Sequence, residues 1–555
     1  MLKNFYHNDP NLKQILQDQL PQPFWEWADK ELGIFGELCA GPIDERAVHT
    51  DREGQPKLIR YNKMGKEISE VWLNEGYRQT VEETYNTGIV AYVHKEIPAL
   101  EQKGNYVYAF AQAYLLSHAE AGFYCPVTLS QATAYLIDHY ASEDLQQLYL
   151  PHVLSIGEVE LYEGATFLTE RQGGSDVGAN EVKAVPNGKS FRISGEKYFA
   201  SNAGACGLAM VLARMDGAPE GTKGLSLFLV PWEENRKEGL LRIRRLKDKL
   251  GVRAVPSAEV EFSGAKGFLV GEPNKGLGYM MEALNLSRVA NAVASLGIMK
   301  RAYLEARNYA RNRPAFGNPL THYPMVQDTL GKMATKQEVE LNTLFHVIQL
   351  MDKVMGKQTK HEATEEEQIL FRLYVAIVKK ETAEQAIHFA HEAIEMHGGN
   401  GYIEDFVTPR LLRDAQVLTV WEGTANILGL EVVRLIEKYH VDTIFIEEMK
   451  KRLANINEKS VLSEWVTRLE EELSSLIQQI TLIRSSKKQE LQTYYSKDIA
   501  HKFAILLESV IAMETAVKRG SREEAVAEVY LQHTWNKDEM EADPVTLEYF
   551  QIICG

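Results

Sequence analysis

The spacing of hydrophobic positions changes character twice along the chain, near residue 160 and again near residue 276. Up to about residue 158 the pattern is mostly helical. Apolar and small residues recur at helical spacing from Asn105 to Leu136, with a break expected at Cys125-Pro126, and Tyr149-Leu150-Pro151 closes a second run. Lys57 to Trp72 is the exception, irregular or strand-like. From about 160 to 275 short alternating runs, FRISG, LAMVLAR, LSLFLVPW and AEVEFSG, lie between Gly, Pro and Asn turns. Strands do not alternate with helices there, so the spacing predicts an all-β sandwich or barrel. Beyond about 278 the period is helical again. Tyr279 to Arg313 ends at Pro314, a residue that stops helices, and two more runs span about 325–356 and 364–397. The glycine cluster HGGNGY interrupts, shorter helices flank WEGTAN, and a last helical region rich in Glu, Lys and Leu follows residue 442.

This pattern divides the 555 residues into a helical part with an N-terminal extension (1–158), a β part (159–276), a helical part (277–440) and an appended helical region (441–555). The fold class is α+β. With 45% hydrophobic and 25% charged residues the chain reads as soluble and globular. A net charge of −16 argues against nucleic acid as the main partner, because phosphate binding needs clustered cations. No apolar run approaches the roughly 18 residues that span a bilayer, and the polar start MLKNFYHNDP lacks a signal-peptide core. The four cysteines are far apart with no CxxC pair, which fits a reducing cytoplasm and speaks against a disulfide framework or a thiolate zinc site.

Five short motifs offer chemistry, each with a plainer alternative. TFLTERQGGSD, from Thr166, combines hydroxyls with paired glycines, either a loop that cradles a phosphate or flat heterocycle or an ordinary turn into a strand. KYFASN (197–202) offers an aromatic pair and a hydroxyl, or simple core packing of Tyr198 or Phe199. Arg313-Pro-Ala-Phe-Gly317 presents a guanidinium for a pyrophosphate, or one facing the helix dipole. EMHGGNGY (395–402) marks a helix end with a left-handed turn that also permits close backbone approach. In WEGTAN, Thr424 is an expected N-cap, and Glu422 is either a favourable anion before a helix or a general base beside an indole. His388 and His391 lie three apart on a helix without an evident third ligand, so no metal is expected. The basic run Arg242, Arg244, Arg245, Lys247, Lys249 reads as a solvated strand face or loop. No GxGxxG fingerprint occurs, so a Rossmann cofactor site has no support.

In this order FLTERQGGSD, KYFASN, LKDKLGVRAVPS with VEFSGA, RPAFGNPL, HGGNGY and WEGTAN resemble the acyl-CoA dehydrogenase flavoprotein family, over about residues 105–440 and most strongly over 160–427. DREG at 51–54, the serine of KYFASN and the tryptophan of WEGT are most similar to its AidB-like branch. The resemblance implies a helical N-domain, a middle β-domain and a helical-bundle C-domain. It implies FAD held by Leu168, Thr169, Gly174 and Ser175, with Phe199 near the ring and the Ser201 hydroxyl at flavin N5. Arg313, Phe316, Glu395, Gly398 and Gly399 are implied to contact the FAD of a neighbouring subunit, and Thr424 and Asn426 the pyrophosphate. Ser175, Arg288 and Gly423 fall on the acyl-CoA path. Glu422 matches the base that removes the α-proton; in members that carry the base before the arginine of the long helix the position is occupied, but here it is Ser287.

The implied reaction is α,β-dehydrogenation of an acyl-CoA to the trans-2-enoyl-CoA. The thioester oxygen is polarised by the Glu422 backbone N–H and an FAD hydroxyl while a hydride passes to N5. It further implies an electron-transfer flavoprotein as acceptor, a homodimer or homotetramer, and a place in fatty acid metabolism. Pro324 replaces a usual glutamine near FAD, and Asn285 replaces an acidic residue that commonly helps hold acyl-CoA. The alternative is an AidB-type FAD-containing, DNA-associated protection protein with little dehydrogenase activity. That reading expects a basic C-terminal region, whereas Val441–Gly555 holds 14 Lys+Arg against 20 Asp+Glu, a net of −6. The Glu/Leu-rich helices there, such as WVTRLEEELSSLIQQI, otherwise serve as an interaction module or a bundle packed on the core.

Overall fold

A computed structural model describes residues 3–357, 362–456, 462–485, 489–536 and 544–555. The chain forms two compact units: Met1–Asn8 with Leu20–Ala290, and Asp9–Gln19 with Asn291–Gly555. The first helix, α1 (Pro10–Gln19), therefore belongs with the second unit, tied there by Asn11 to the Glu338 carbonyl and by Arg519 to Asp18 at 2.9 Å.

In the first unit, α2 (Gln22–Leu38) and α3 (Asp44–Arg52) are followed by a hairpin of β1 (Lys57–Tyr61) and β2 (Glu67–Trp72), then α4 (Glu75–Tyr85) and a two-residue pair, β3 (Glu96–Ile97) and β4 (Gln102–Lys103). Then come α5 (Tyr106–Ala119), α6 (Ala121–Tyr140) and α7 (Glu143–Val153). The break expected at Cys125-Pro126 falls instead at Glu120, whose carboxylate accepts the Gly122 N–H at 3.0 Å; Pro126 sits inside α6, and Pro151 inside α7.

The β region is a barrel. Its strands are β5 (Gly164–Phe167), β6 (Lys183–Asn187), β7 (Ser190–Ser201), β8 (Leu208–Met215), β9 (Leu225–Pro231), β10 (Leu241–Leu246) and β11 (Ser257–Val270), with a short α8 (Trp232–Lys237). The pairings β11–β7, β7–β6, β6–β8, β8–β9 and β9–β11 return to their start, so five strands close on themselves while β10 and β5 extend the sheet. Inward Phe167, Val211, Phe228, Val260 and Phe262 fill it, and Val71 and Leu58 of the hairpin pack on the same core. Burying an aromatic such as Phe228 contributes about 2–3 kcal/mol.

α9 (Gly276–Asn312) runs from the first unit into the second and stops one residue before Arg313-Pro314; a small hairpin of β12 (Pro314–Ala315) and β13 (Asn318–Pro319) follows. α10 (Pro324–Met355) begins with proline in its first turn, where no N–H is required. α11 (Glu365–His397) begins with a capping box, Thr364 Oγ1 accepting from Glu367 N and Glu367 Oε2 from Thr364 N. Then come α12 (Thr408–Leu418), α13 (Ala425–Tyr439), α14 (Val441–Ala454), α15 (Ser463–Ser485), α16 (Gln489–Tyr494), α17 (Ser496–Arg519), α18 (Ser521–Trp535) and α19 (Val545–Cys554). The appended helices are built into the second unit around Lys336. Its ammonium lies 3.0 Å from Glu340, 3.2 Å from Glu381 and 2.8 Å from Glu508, and Tyr530 donates to Glu508.

Candidate active site

In the first unit the chain leaving β5 at Phe167 lies against the end of β7, which brings FLTERQGGSD and KYFASN together. Tyr198 N donates to Thr169 O at 2.9 Å. The fully buried Lys197 donates to the Leu168 carbonyl at 3.2 Å and pairs with Glu170 at 2.7 Å; burial pushes its ammonium down to about 8 against the pull of Glu170. Asn180 holds the same Leu168 carbonyl at 2.8 Å. A Cβ on Gly174 would lie 2.7 Å from Thr169 Oγ1, so a side chain there would displace the threonine hydroxyl. Gly174 and Ser175 are exposed.

Phe199 is 54% exposed, which removes the core-packing alternative for it. Its ring meets Tyr198 edge-on at 5.2 Å, and Lys247 Nζ lies 4.9 Å above it. Ser201 and Ser257 are register partners across β7 and β11, with hydroxyls 3.4 Å apart. Lys249 braces the following loop by donating to the carbonyls of Val252 (2.8 Å) and Val255 (2.6 Å). An uncovered aromatic ring, three hydroxyls at Thr169, Ser175 and Ser201, and a glycine loop that a side chain would fill suit a flat, hydrogen-bonding heterocycle such as flavin.

Arg288, on α9, is buried, and its guanidinium donates to Asn285 Oδ1 at 3.3 Å, so the asparagine that replaces an acid still takes one of its hydrogen bonds. Ser287 spends its hydroxyl on the Ala283 carbonyl of its own helix.

In the second unit, α12 ends in a tight turn where both Val420 N and Trp421 N bond to Val417 O. Glu422 follows with φ +60° and Gly423 with φ +105°. A left-handed non-glycine residue costs on the order of 1 kcal/mol or more and persists only where its surroundings hold it. Here the buried Lys379 of α11 donates to Gly423 O at 2.7 Å. Glu422 and Trp421 are half-buried. Thr424 occupies the N-cap position of α13, as expected, but its side chain makes no capping bond. Thr424 and Asn426 are exposed at a helix start, which suits an anion.

Arg313, Phe316, Glu395, Gly398 and Gly399 form a separate group. Asn400 donates to the Tyr309 hydroxyl at 3.1 Å, the Tyr309 and His397 rings are 4.2 Å apart, and Arg313 N bonds to Tyr309 O. The glycine turn is thus tied to the end of α9. Phe316 is 96% exposed at φ +51°, and Gly398 (φ +59°) and Gly399 have open space where a Cβ would stand. Arg313 and Glu395 are exposed. From Lys379, beside Gly423, to His397 is 18 residues of α11, about 27 Å of helix. Within this unit, therefore, the Glu422 loop and the Gly398 turn are held apart.

His391 does have neighbours fit to be ligands: helical spacing sets Glu392 and Glu395 beside it, with ligand atoms within 4.8 Å of one another on an exposed face. A second such group, Glu340, Glu381 and Glu508, already holds the Lys336 ammonium in its midst. The basic run lies on the barrel surface in ion pairs: Arg242 and Arg244 with Glu261, Arg245 and Lys247 with Glu259. No motif in the sequence marks Lys379, and Lys197 of KYFASN and Lys249 of the basic run hold backbone carbonyls, a role their motifs do not suggest. Lys197 leaves a trace in sequence, since it shares the inward face of β7 with Ile193.

Three family models match: the adaptive response protein AidB N-terminal domain over residues 1–156, the acyl-CoA dehydrogenase middle domain over 165–265, and the acyl-CoA dehydrogenase C-terminal domain over 274–436. The chain is 30% identical to acyl-CoA dehydrogenase family member 11 of Caenorhabditis elegans over 465 residues, 82% of this chain and 74% of the relative. It is also 30% identical to the putative acyl-CoA dehydrogenase AidB of Escherichia coli, over 69% of each chain. The solved structure of Caenorhabditis elegans ACDH-11 in complex with C11-CoA superposes with a TM-score of 0.87 at 26% identity, covering 98% of this chain and 92% of that one. The chain belongs to the acyl-CoA dehydrogenase family, FAD-using oxidoreductases that act on acyl-CoA.

Proposed function

We propose that the protein removes the α- and β-hydrogens of an acyl-CoA to give the trans-2-enoyl-CoA, with Glu422 as the base. The observation that carries this is the Glu422 loop: a carboxylate held in a left-handed turn by a buried lysine, on the side of Trp421. The other position that carries a base in related enzymes is Ser287, whose hydroxyl is bonded to its own helix. An α-proton of a thioester is only weakly acidic, so the base needs help at the thioester oxygen. The Glu422 backbone N–H is the donor we assign to that oxygen, and the Glu422 carboxylate takes the proton from the α-carbon. FAD, when bound, supplies the acceptor for the β-hydrogen as hydride.

Leu168, Thr169, Gly174, Ser175, Phe199 and Ser201 would hold the flavin half, and Thr424 and Asn426 the pyrophosphate. Arg313, Phe316, Glu395, Gly398 and Gly399 would complete the site of a second subunit. The roughly 27 Å between the Glu422 loop and the Gly398 turn supports that assignment, and with it a homodimer or homotetramer. Ser175, Arg288 and Gly423 would line the acyl-CoA path. We assign reoxidation to an electron-transfer flavoprotein, place the enzyme in the fatty acid metabolism of the cytoplasm, and divide the chain at residues 158, 276 and 440. Among the described residues no helix is long and apolar enough to cross a membrane.

The test is anaerobic titration of the FAD-loaded protein with acyl-CoAs of varied length and branching. Bleaching of oxidised flavin by one of them supports dehydrogenation; no bleaching by any, with FAD bound, refutes it. The match of residues 1–156 to the AidB N-terminal domain favours a second reading, a DNA-associated protection role. Against it, Arg452, Arg484, Lys502, Arg519 and Arg522 of the appended region are each engaged by a carboxylate, which leaves fewer cations for phosphates. A salt-dependent shift of duplex DNA in a gel would support the DNA reading.

A further inference from the structure

An ammonium group in a helix interior is costly. Lys379 sits in the middle of α11 with a relative exposure of 1%, between Val378 and Lys380, where leucine or methionine would pack without desolvating a charge. Its nitrogen reaches the Gly423 carbonyl at 2.7 Å, across 44 residues of sequence. That carbonyl closes the two-residue left-handed stretch of Glu422 and Gly423, the one place among the described residues of the second unit where a carboxylate and a glycine with positive φ adjoin. The other side of the loop is already fixed. Val420 N and Trp421 N share the Val417 carbonyl, and the buried Asn291 holds the Leu418 carbonyl at 3.1 Å. On the exit side, α13 begins without a side-chain cap from Thr424. The lysine therefore supplies the fixation that the missing cap does not.

We propose that Lys379 is a positioning residue for Glu422, its ammonium clamping the Gly423 carbonyl and so fixing the turn from which the carboxylate and the backbone N–H of residue 422 act. This rests on Glu422 being the base. A charge-assisted hydrogen bond to a carbonyl is stronger than a neutral one and suits a backbone that would otherwise relax. If the clamp is lost, the base moves and Gly423 moves with it, while Ser175 and Arg288 of the acyl-CoA path and the flavin-contacting residues of the first unit keep their own supports. The loss should then fall on kcat, because displacing a reacting group by about 1 Å costs on the order of 100-fold.

The experiment compares Lys379→Met, Lys379→Gln and Glu422→Gln in the FAD-loaded enzyme. The readouts are flavin content, thermal midpoint, KM and kcat, and exchange of the acyl-CoA α-hydrogens with D2O. Lys379→Met is expected to keep its flavin and lower both kcat and α-exchange by about 10- to 100-fold, with KM changed by less than about threefold. Lys379→Gln, which keeps a donor without the charge, is expected to fall between. In the Glu422→Gln background Lys379→Met should cost much less than it does alone, because the carboxylate it positions is gone and only the backbone N–H of residue 422 remains to be placed. Unchanged kcat and exchange in a flavin-loaded Lys379→Met would overturn the proposal, as would a full, additive loss in the Glu422→Gln background. If Lys379→Met does not fold, Lys379→Gln decides alone: a lowered exchange rate at unchanged KM supports the clamp, and a wild-type rate refutes it. An active Glu422→Gln refutes the base assignment itself, whatever the lysine variants do.

Discussion

Glu163, just before β5, gives the first unit a pH dependence that can be worked from its surroundings. The side chain is fully buried, and burial pushes its carboxyl from 4.5 up to about 7, with hydrogen bonds from Tyr85 and Asn202 offsetting part of the rise. In the folded chain it therefore keeps its proton through a range where the unfolded chain has lost it. The folded state binds more protons, so stability falls as pH rises from about 4.5 and levels off above about 7. An interval of about 2.5 in pKa, at about 1.4 kcal/mol per pH unit, amounts to about 3 kcal/mol lost by alkaline pH. Glu163→Gln keeps a group of the same shape that can accept from Tyr85 and cannot ionise. Relative to the wild type, the variant should gain about 2–3 kcal/mol between pH 5 and pH 8. Equilibrium urea unfolding of both proteins at pH 5, 6, 7 and 8 measures this. A difference between them that stays constant across that range would show that Glu163 ionises like an exposed carboxylate, and would refute the reasoning.

Lys336→Met leaves Glu340, Glu381 and Glu508 buried without their shared cation, and should destabilise the second unit by about 3–5 kcal/mol. The loss should shrink at pH 5, where the carboxylates can take up protons, and denaturation at pH 5 and pH 8 tests both statements. Phe316 is almost wholly exposed and contributes little to folding, so Phe316→Ala should leave the thermal midpoint of the flavin-free protein within about 1 °C. It should lower the flavin retained after gel filtration; retention equal to wild type would remove Phe316 from the cofactor site.

The long helices were legible from their helical spacing and, for α9, from Pro314 at its end; the structure adds that Pro324 opens α10 and that Thr364 and Glu367 cap α11. The break between α5 and α6 was misplaced because Pro126, the sixth residue of α6, is accommodated inside the helix, while the real break depends on the Glu120 side chain folding back on Gly122. Alternation showed the strands but not their closure, which depends on β9 pairing with both β8 and β11. The motif residues of the barrel, Thr169, Gly174, Phe199 and Ser201, were legible as short-range patterns, and the structure adds that Thr169 and Tyr198 are hydrogen-bonded neighbours. Lys379 and Lys197 were not legible as site residues. Each is buried and acts on the carbonyl of a segment 29 or more residues away, a relation that spacing does not encode.

The proposed reaction turns on Glu422 removing the α-proton. Its most direct test is the rate of flavin bleaching when FAD-loaded wild type and Glu422→Gln are mixed anaerobically with the acyl-CoA that best reduces the wild type. The variant should retain its flavin and bind the thioester while bleaching falls by about 1,000-fold or more. Bleaching of Glu422→Gln at the wild-type rate would contradict it.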